Sequence, residues 1–178
     1  VMAAATALAI GPGLGQSARA LSLLRRAIES PLPLVIDADG LNLLAAHRVL
    51  QRRLVARGEA VGATLLTPHP AEAARLLGCG VDRIQADRVA AALELAQRFH
   101  ASVVLKGCGS VAADADGHWH INTTGNAGLA AAGSGDVLTG LIVALLAQGW
   151  PAQAALLAAV HLHGAAADAL VDSGIGPI

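Results

Sequence analysis

Four short apolar runs, Ala5–Ile10, Leu34–Asp37, Thr64–Thr67 and Val103–Lys106, each stop at Gly, Pro or Asp, and longer helical stretches separate them. Apolar runs this short, bounded in this way, read as strands buried on both faces, the pattern of a parallel sheet. The segments between and after them, Ser17–Glu29, Leu41–Leu50, Ala71–Leu77 and Arg83–His100, carry helical periodicity. Ser17 is placed to cap the first of these and Pro70 to open the third, while Asp82 with Gln85 resembles a capping box for the fourth. Repeated strand–helix alternation implies right-handed crossovers and helices covering a mostly parallel sheet, an α/β chain. The order then changes. Ser110–Asp114 and His118–Asn122, joined through Asp116-Gly117, read as a hairpin that extends the sheet antiparallel. Two Ala/Leu-rich helices follow, Val137–Gln148 and Ala152–Val171, divided by Gly149-Trp150-Pro151.

Composition narrows what such a sheet serves. The 178 residues suit one domain, and 54% apolar against 14% charged content excludes disorder. An aromatic share of 2% leaves little to stack bases on, and a net charge of −1 gives no field to hold DNA or anionic lipid. The apolar run Val137–Ala147 is too short to span a membrane. Val1–Ile10 lacks a basic flank and runs into Gly11-Pro12-Gly13, so it reads as a buried strand rather than a signal peptide. A chain that opens inside such a strand is expected to lack its N-terminal part. Cys79 and Cys108 have no ligand spacing, which fits a reducing cytoplasm. Arg52, Arg53 and Arg57 read as a solvated face; the sole lysine is Lys106.

The unusual residues cluster where open α/β sheets bind ligands, beyond the carboxyl ends of the strands. Gly11-Pro12-Gly13-Leu14-Gly15 follows the first strand and Asp37-Ala38-Asp39-Gly40-Leu41-Asn42 the second. Thr67-Pro68-His69-Pro70-Ala71-Glu72 follows the third, and Lys106-Gly107-Cys108-Gly109-Ser110 the fourth. The sharpest element is Gly133-Ser134-Gly135-Asp136: Asp136 is the only Asp, Glu, Lys or Arg between Gly117 and Ala167. At a helix start the free N–H groups and the dipole form an anion hole, and a carboxylate held ionised there can take a proton from a hydroxyl. An ordinary N-cap would explain the Asp but neither the flanking glycines nor the empty stretch around it. The Gly11–Gly15 turn has neither a Lys-Ser/Thr pair nor GxGxxG spacing; it is either a tight turn or a close approach for phosphates. Asp37 and Asp39 suit loop capping, or the orientation of ligand or metal-bound water. His69 between two prolines is rigidly presented as a ligand contact, and Lys106 suits a phosphate or a backbone-positioning role. The pairs His118/His120 and His161/His163 lack a carboxylate in register for a metal, and Cys108 has no base placed beside it.

Taken in order, the four strand exits, Val104-Leu105-Lys106-Gly107 and Gly125-Asn126-Ala127-Gly128…Gly133-Ser134-Gly135-Asp136-Val137-Leu138-Thr139-Gly140 resemble the ADP/ATP-dependent NAD(P)H-hydrate dehydratases over essentially the whole chain. The resemblance implies a ribokinase-like, three-layer α/β/α domain, longer at its amino end than this chain. It implies that Gly13, His69, Asn126 and Asp136 contact the hydrated nicotinamide (NAD(P)HX), with Asp136 as catalytic base. Lys106, Gly107, Cys108, Gly109, Ser110 and Gly135 would hold the adenine nucleotide, ADP or ATP, with Mg²⁺ on its phosphates. No protein metal ligand is expected. It further implies a cytoplasmic homo-oligomer, a tetramer, with a fused or separate NAD(P)HX epimerase. Two positions depart from the family pattern: Ala127 stands where proline is common and Ala131 where threonine is common. A small-molecule kinase of the hydroxyethylthiazole or hydroxymethylpyrimidine type, and a non-catalytic nucleotide-binding fragment, are the rival readings.

Overall fold

Every crossover in the parallel part of the sheet keeps to one face, and that decides where everything else goes. The computed structural model describes residues 5–174. Its strands stand in chain order: β1 (Leu8–Ile10), β2 (Leu34–Ile36), β3 (Thr64–Leu66) and β4 (Ser102–Leu105) run parallel, and β5 (Val111–Ala113) and β6 (Trp119–Ile121) complete an antiparallel meander. Right-handed connections that never reverse direction place their helices on one side. These are α1 (Ala18–Ile28), α2 (Ala38–Ala46), α3 (Arg48–Val61), α4 (Pro70–Leu77), α5 (Val81–Ala86) and α6 (Arg88–Phe99). The opposite face is left to α7 (Ser134–Ala147), which packs on β1 and β2, and α8 (Ala152–Asp172), which packs on β3 and β4.

The strand period of two divides the side chains between the two cores. Leu34, Ile36, Leu66, Val103 and Leu105 enter the core beneath α1–α6, while Val35, Leu65 and Val104 enter the one beneath α7 and α8. The fold is the expected mostly parallel sheet with an antiparallel hairpin and helices on both faces.

Several local expectations are corrected. Leu41–Leu50 is two helices, because His47 takes an extended backbone between α2 and α3. Arg83–His100 is likewise broken at Asp87, which is extended and whose Oδ1 accepts the Ala90 N–H at 2.9 Å to cap α6. Asp82 forms no capping box; it sits inside α5, whose N-cap Gly80 has no side chain to offer. β1 is only partly buried, since it pairs with β2 alone, and Val1–Ala4 lie outside the described residues. Arg57 is 5% exposed rather than solvated, and donates to the carbonyls of Ile28, Ser30 and Leu32. Burial pulls its pKa down from the usual guanidinium value. As expected, α7 is too short to span a membrane, whereas the 21 residues of α8 pass by length and mean hydropathy alone. Here Ala155, Leu156, Ala159 and Val160 on that helix are buried against the sheet and α7.

Candidate active site

The carboxyl ends of β1–β4 lie side by side, and the turns that leave them are tied together by a few side chains. At the first exit Gly11 has φ 136°, and a Cβ there would overlap the Asp37 carbonyl oxygen, so the two turns touch backbone to backbone. Asp39 completes the link. Its Oδ2 accepts the Gly15 N–H at 2.7 Å and its Oδ1 accepts from Gln16 Nε2 at 3.1 Å, fixing the loop that carries Gly13.

Asp37 is 1% exposed and caps α2 by accepting the Ala38 N–H through Oδ1 at 2.9 Å. The same oxygen accepts from Lys106 Nζ at 2.8 Å, and Oδ2 accepts the Thr139 hydroxyl at 2.7 Å. A buried carboxylate is tolerable only when charge and hydrogen bonds compensate it; here one ammonium, one hydroxyl and one amide do so. Ala38, directly after it, is held at φ 48°, a left-handed backbone that a non-glycine residue adopts at a cost.

His69 caps α4. Its Nδ1 accepts the Ala71 N–H at 3.1 Å, its own N–H donates to Glu72 Oε2 at 2.8 Å, and its Nε2 lies 3.3 Å from Glu72 Oε1. With Nδ1 accepting from an amide, the ring hydrogen belongs on Nε2. The ring is 47% exposed and Glu72 is buried, so the imidazole is aimed by a fixed carboxylate beneath it.

The Lys106–Ser110 loop is the β4–β5 hairpin connection. Lys106 N–H donates to the Pro68 carbonyl at 2.8 Å, which joins the third exit to the fourth. Ser110 Oγ accepts the Gly107 N–H at 3.3 Å, and Arg88 at the start of α6 donates to the carbonyls of Leu105 and Cys108. Cys108 is exposed and unpaired.

The amino end of α7 closes the arrangement. Its N-cap is Gly133 at φ 86°, with no side-chain cap; the Ser134 N–H donates to the Ala131 carbonyl at 3.3 Å, and the first-turn amides of Gly135 and Asp136 keep their donor character. Gly135 stands against Lys106: a Cβ on it would lie 3.1 Å from Nζ and 3.9 Å from Asp37 Oδ2. Asp136 is exposed at the third helical position. Among the described residues no hydrogen bond engages its carboxylate. The expectation that backbone N–H groups hold that side chain is therefore corrected: Asp136 is not the N-cap of α7, and unlike Glu72 in the first turn of α4 it does not reach back to an amide of its own helix end. Ser134 Oγ lies 3.5 Å from His163 Nε2, whose pKa burial lowers.

Lys106, Gly107, Gly109, Ser110 and Gly135 thus lie around one edge, with Gly13 and His69 on the neighbouring exits. Asn126 is committed inward. Its Oδ1 accepts the Gly128 N–H at 3.0 Å and its Nδ2 donates to Asp168 on α8 at 3.0 Å. Thr139 stands in the Gly133–Gly140 motif with no role expected of it, and Arg88 and Asp168 stand in no motif; they act across 102, 17–20 and 42–43 residues, and no local pattern marks such partners. What fits the edge chemically is an anion. It offers one lysine ammonium, a run of helix amides, and glycines where side chains would intrude.

The sequence profile described as NAD(P)H-hydrate dehydratase matches residues 2–175. The chain is 48% identical over 166 residues to the ADP-dependent (S)-NAD(P)H-hydrate dehydratase of Neisseria meningitidis, covering 92% of this chain and 55% of that protein. Its fold is similar, at a TM-score of 0.80 and 36% identity, to the Bacillus subtilis ADP/ATP-dependent NAD(P)H-hydrate dehydratase co-crystallized with ATP/Mg²⁺, covering 94% of this chain and 58% of that one. A ribokinase-like superfamily protein of Enterococcus faecalis is also similar, at a TM-score of 0.77 and 27% identity, covering 94% of this chain and 56% of that one. The chain spans from about a third to just over half of the length of the curated relatives it matches.

Proposed function

Because the chain belongs to the NAD(P)H-hydrate dehydratase family, we propose that the protein converts hydrated NADH or NADPH back to the reduced nicotinamide at the expense of an adenine nucleotide. The observation that supports this is the approach of the Lys106 ammonium to Gly135 at the amino end of α7, where the Gly135 and Asp136 amides offer donors for a phosphate and Asp136 is exposed in the same turn.

Hydroxide is a poor leaving group, so the hydrated ring does not lose water readily. In the proposed reaction the ring hydroxyl attacks the terminal phosphoryl of ADP, its proton passes to Asp136, and AMP departs. The ring nitrogen lone pair then expels phosphate, and loss of the neighbouring ring proton restores NADH. The chain's contribution to the first step is positioning and electrostatics. Lys106 and the α7 amides receive the charge on the transferring group, the glycines at 107, 109 and 135 admit the phosphates, and Asp136 takes the proton. His69, its ring hydrogen directed by Glu72, and the Gly13 turn face the nicotinamide side. Mg²⁺ bound with the nucleotide would neutralise further phosphate charge. Both cysteines are free, which suits a reducing cytoplasm.

Incubating the protein with hydrated NADH and either ADP or ATP tests the reading. Recovery of reduced-nicotinamide absorbance with one phosphate released per NADH supports it. Accumulation of a stable phosphorylated product instead would make the protein a kinase of the same fold.

A further inference from the structure

A cap on α2 needs one oxygen of Asp37, and Oδ1 supplies it to Ala38. The remaining bonds are surplus to that task. Oδ2 reaches across the sheet edge to Thr139 on α7, and Oδ1 also holds the Lys106 ammonium at the end of β4. Thr139 and Gly135 are one helical turn apart on the same face of α7. The carboxylate therefore sets two things at once: the position of the α7 amino end over β2, and the position of the ammonium beside Gly135. Lys106 is 20% exposed, and one of its three N–H donors is spent on Asp37, leaving the others for an anion. A lysine on a flexible four-carbon stem would otherwise sample many positions.

We propose that Asp37 is a positioning residue for phosphoryl transfer: anchored by Thr139, it presets the Lys106 ammonium against the α7 amino end so that ammonium and amides form one anion pocket. The proposal rests on the functional reading above for the identity of the reaction, but not for the geometry. Asp37 is buried and acts through Lys106 rather than on the substrate.

The test uses the intact protein with Asp37→Asn, Thr139→Val, Thr139→Ser and Lys106→Met. Lys106 is the only lysine of the chain, so its reaction with an amine-directed reagent is read at one peptide by mass. Misplacing a transition-state contact by about 1 Å costs on the order of 10²-fold in rate, so Asp37→Asn and Thr139→Val are expected to lower kcat by about that factor. The KM for the hydrate should change little, Lys106 should label faster in both, and Thr139→Ser, which keeps the hydroxyl, should restore rate and labelling. In the Lys106→Met background Asp37→Asn should cost nothing more, because both act through one ammonium. Additive losses overturn the proposal. So do a wild-type kcat or wild-type labelling in folded Asp37→Asn or Thr139→Val, or a Thr139→Ser variant as impaired as Thr139→Val. Should Asp37→Asn fail to fold, the Val and Ser variants at position 139 decide. If the wild type regenerates no reduced nicotinamide, the functional reading fails, and the labelling rates still decide the role of Asp37.

Discussion

The Thr139 hydroxyl donates to Asp37 Oδ2 at 2.7 Å across 102 residues of sequence, joining a helix on one face of the sheet to the end of its second strand. That bond places the amino end of α7 where the four parallel strands deliver their turns. The site is therefore assembled from both halves of the chain.

A Cβ on Gly135 would lie 3.1 Å from Lys106 Nζ, so a side chain there requires the ammonium to give way. Gly135→Val is expected to displace the ammonium and narrow the phosphate approach. Nucleotide-induced thermal stabilisation should shrink toward zero, since a tenfold loss of affinity removes about 1.4 kcal/mol of it at saturating ligand. The ligand-free melting temperature should fall less. Thermal shift with and without ADP checks both; full ADP stabilisation in the variant would remove Gly135 from the cradle.

Gly11→Ala meets the Asp37 carbonyl oxygen and a φ of 136° together. Strain at a special backbone position combined with overpacking belongs among the severe single substitutions, so a loss of about 4 kcal/mol is expected. Denaturant midpoints measure it.

Arg57 spans from α3 to the carbonyls of Ile28, Ser30 and Leu32, which carry the chain from the end of α1 toward β2. Truncating it strands buried carbonyls at about 1–3 kcal/mol. Arg57→Ala should lower the unfolding midpoint clearly, whereas Arg52→Ala, at an exposed position of the same helix, should stay within about 0.5 kcal/mol of wild type. Equal effects at the two positions would contradict the buried role.

The contrast between these arginines shows where sequence reading stops. Arg52, Arg53 and Arg57 look alike in one dimension, but only Arg57 turns inward, because the α1–β2 connection offers it three carbonyls. The β2, β3 and β4 runs were legible because burial on both faces leaves an unbroken apolar signature, and the hairpin because Asp116-Gly117 announces its turn. The break at Asp87 was not, since Arg83–His100 keeps one helical period across it and only the extended Asp87 backbone interrupts the ladder. At the site, the glycine-rich exits and the isolated Asp136 stood out by composition. The partnership of Asp37 with Thr139 and Lys106 could not, because it depends on which face α7 occupies.

The hairpin carries a pH dependence of its own. Burial raises the Asp114 pKa, but hydrogen bonds from the His118 N–H and ring, and from the Asp116 N–H, outweigh it and leave the group below its usual value. A carboxyl depressed on folding contributes stability above its unfolded pKa of about 3.9, and loses it as pH falls through the lower folded value. Asp114→Asn should therefore destabilise the protein at neutral pH, and the difference from wild type should vanish in strong acid. A difference that persists unchanged to low pH would contradict the assignment.

The central claim is that Asp136 takes the proton from the hydroxyl that becomes phosphorylated. Asp136→Asn keeps the size of the side chain and its place in the first turn of α7 but cannot accept that proton. Single-turnover regeneration of NADH from its hydrate, with ADP saturating and ADP affinity measured separately, is the direct measurement. The expected result is a rate lower by roughly 10²–10⁴-fold, the range for a lost general base, with ADP binding retained. A near-normal rate in Asp136→Asn would contradict the claim.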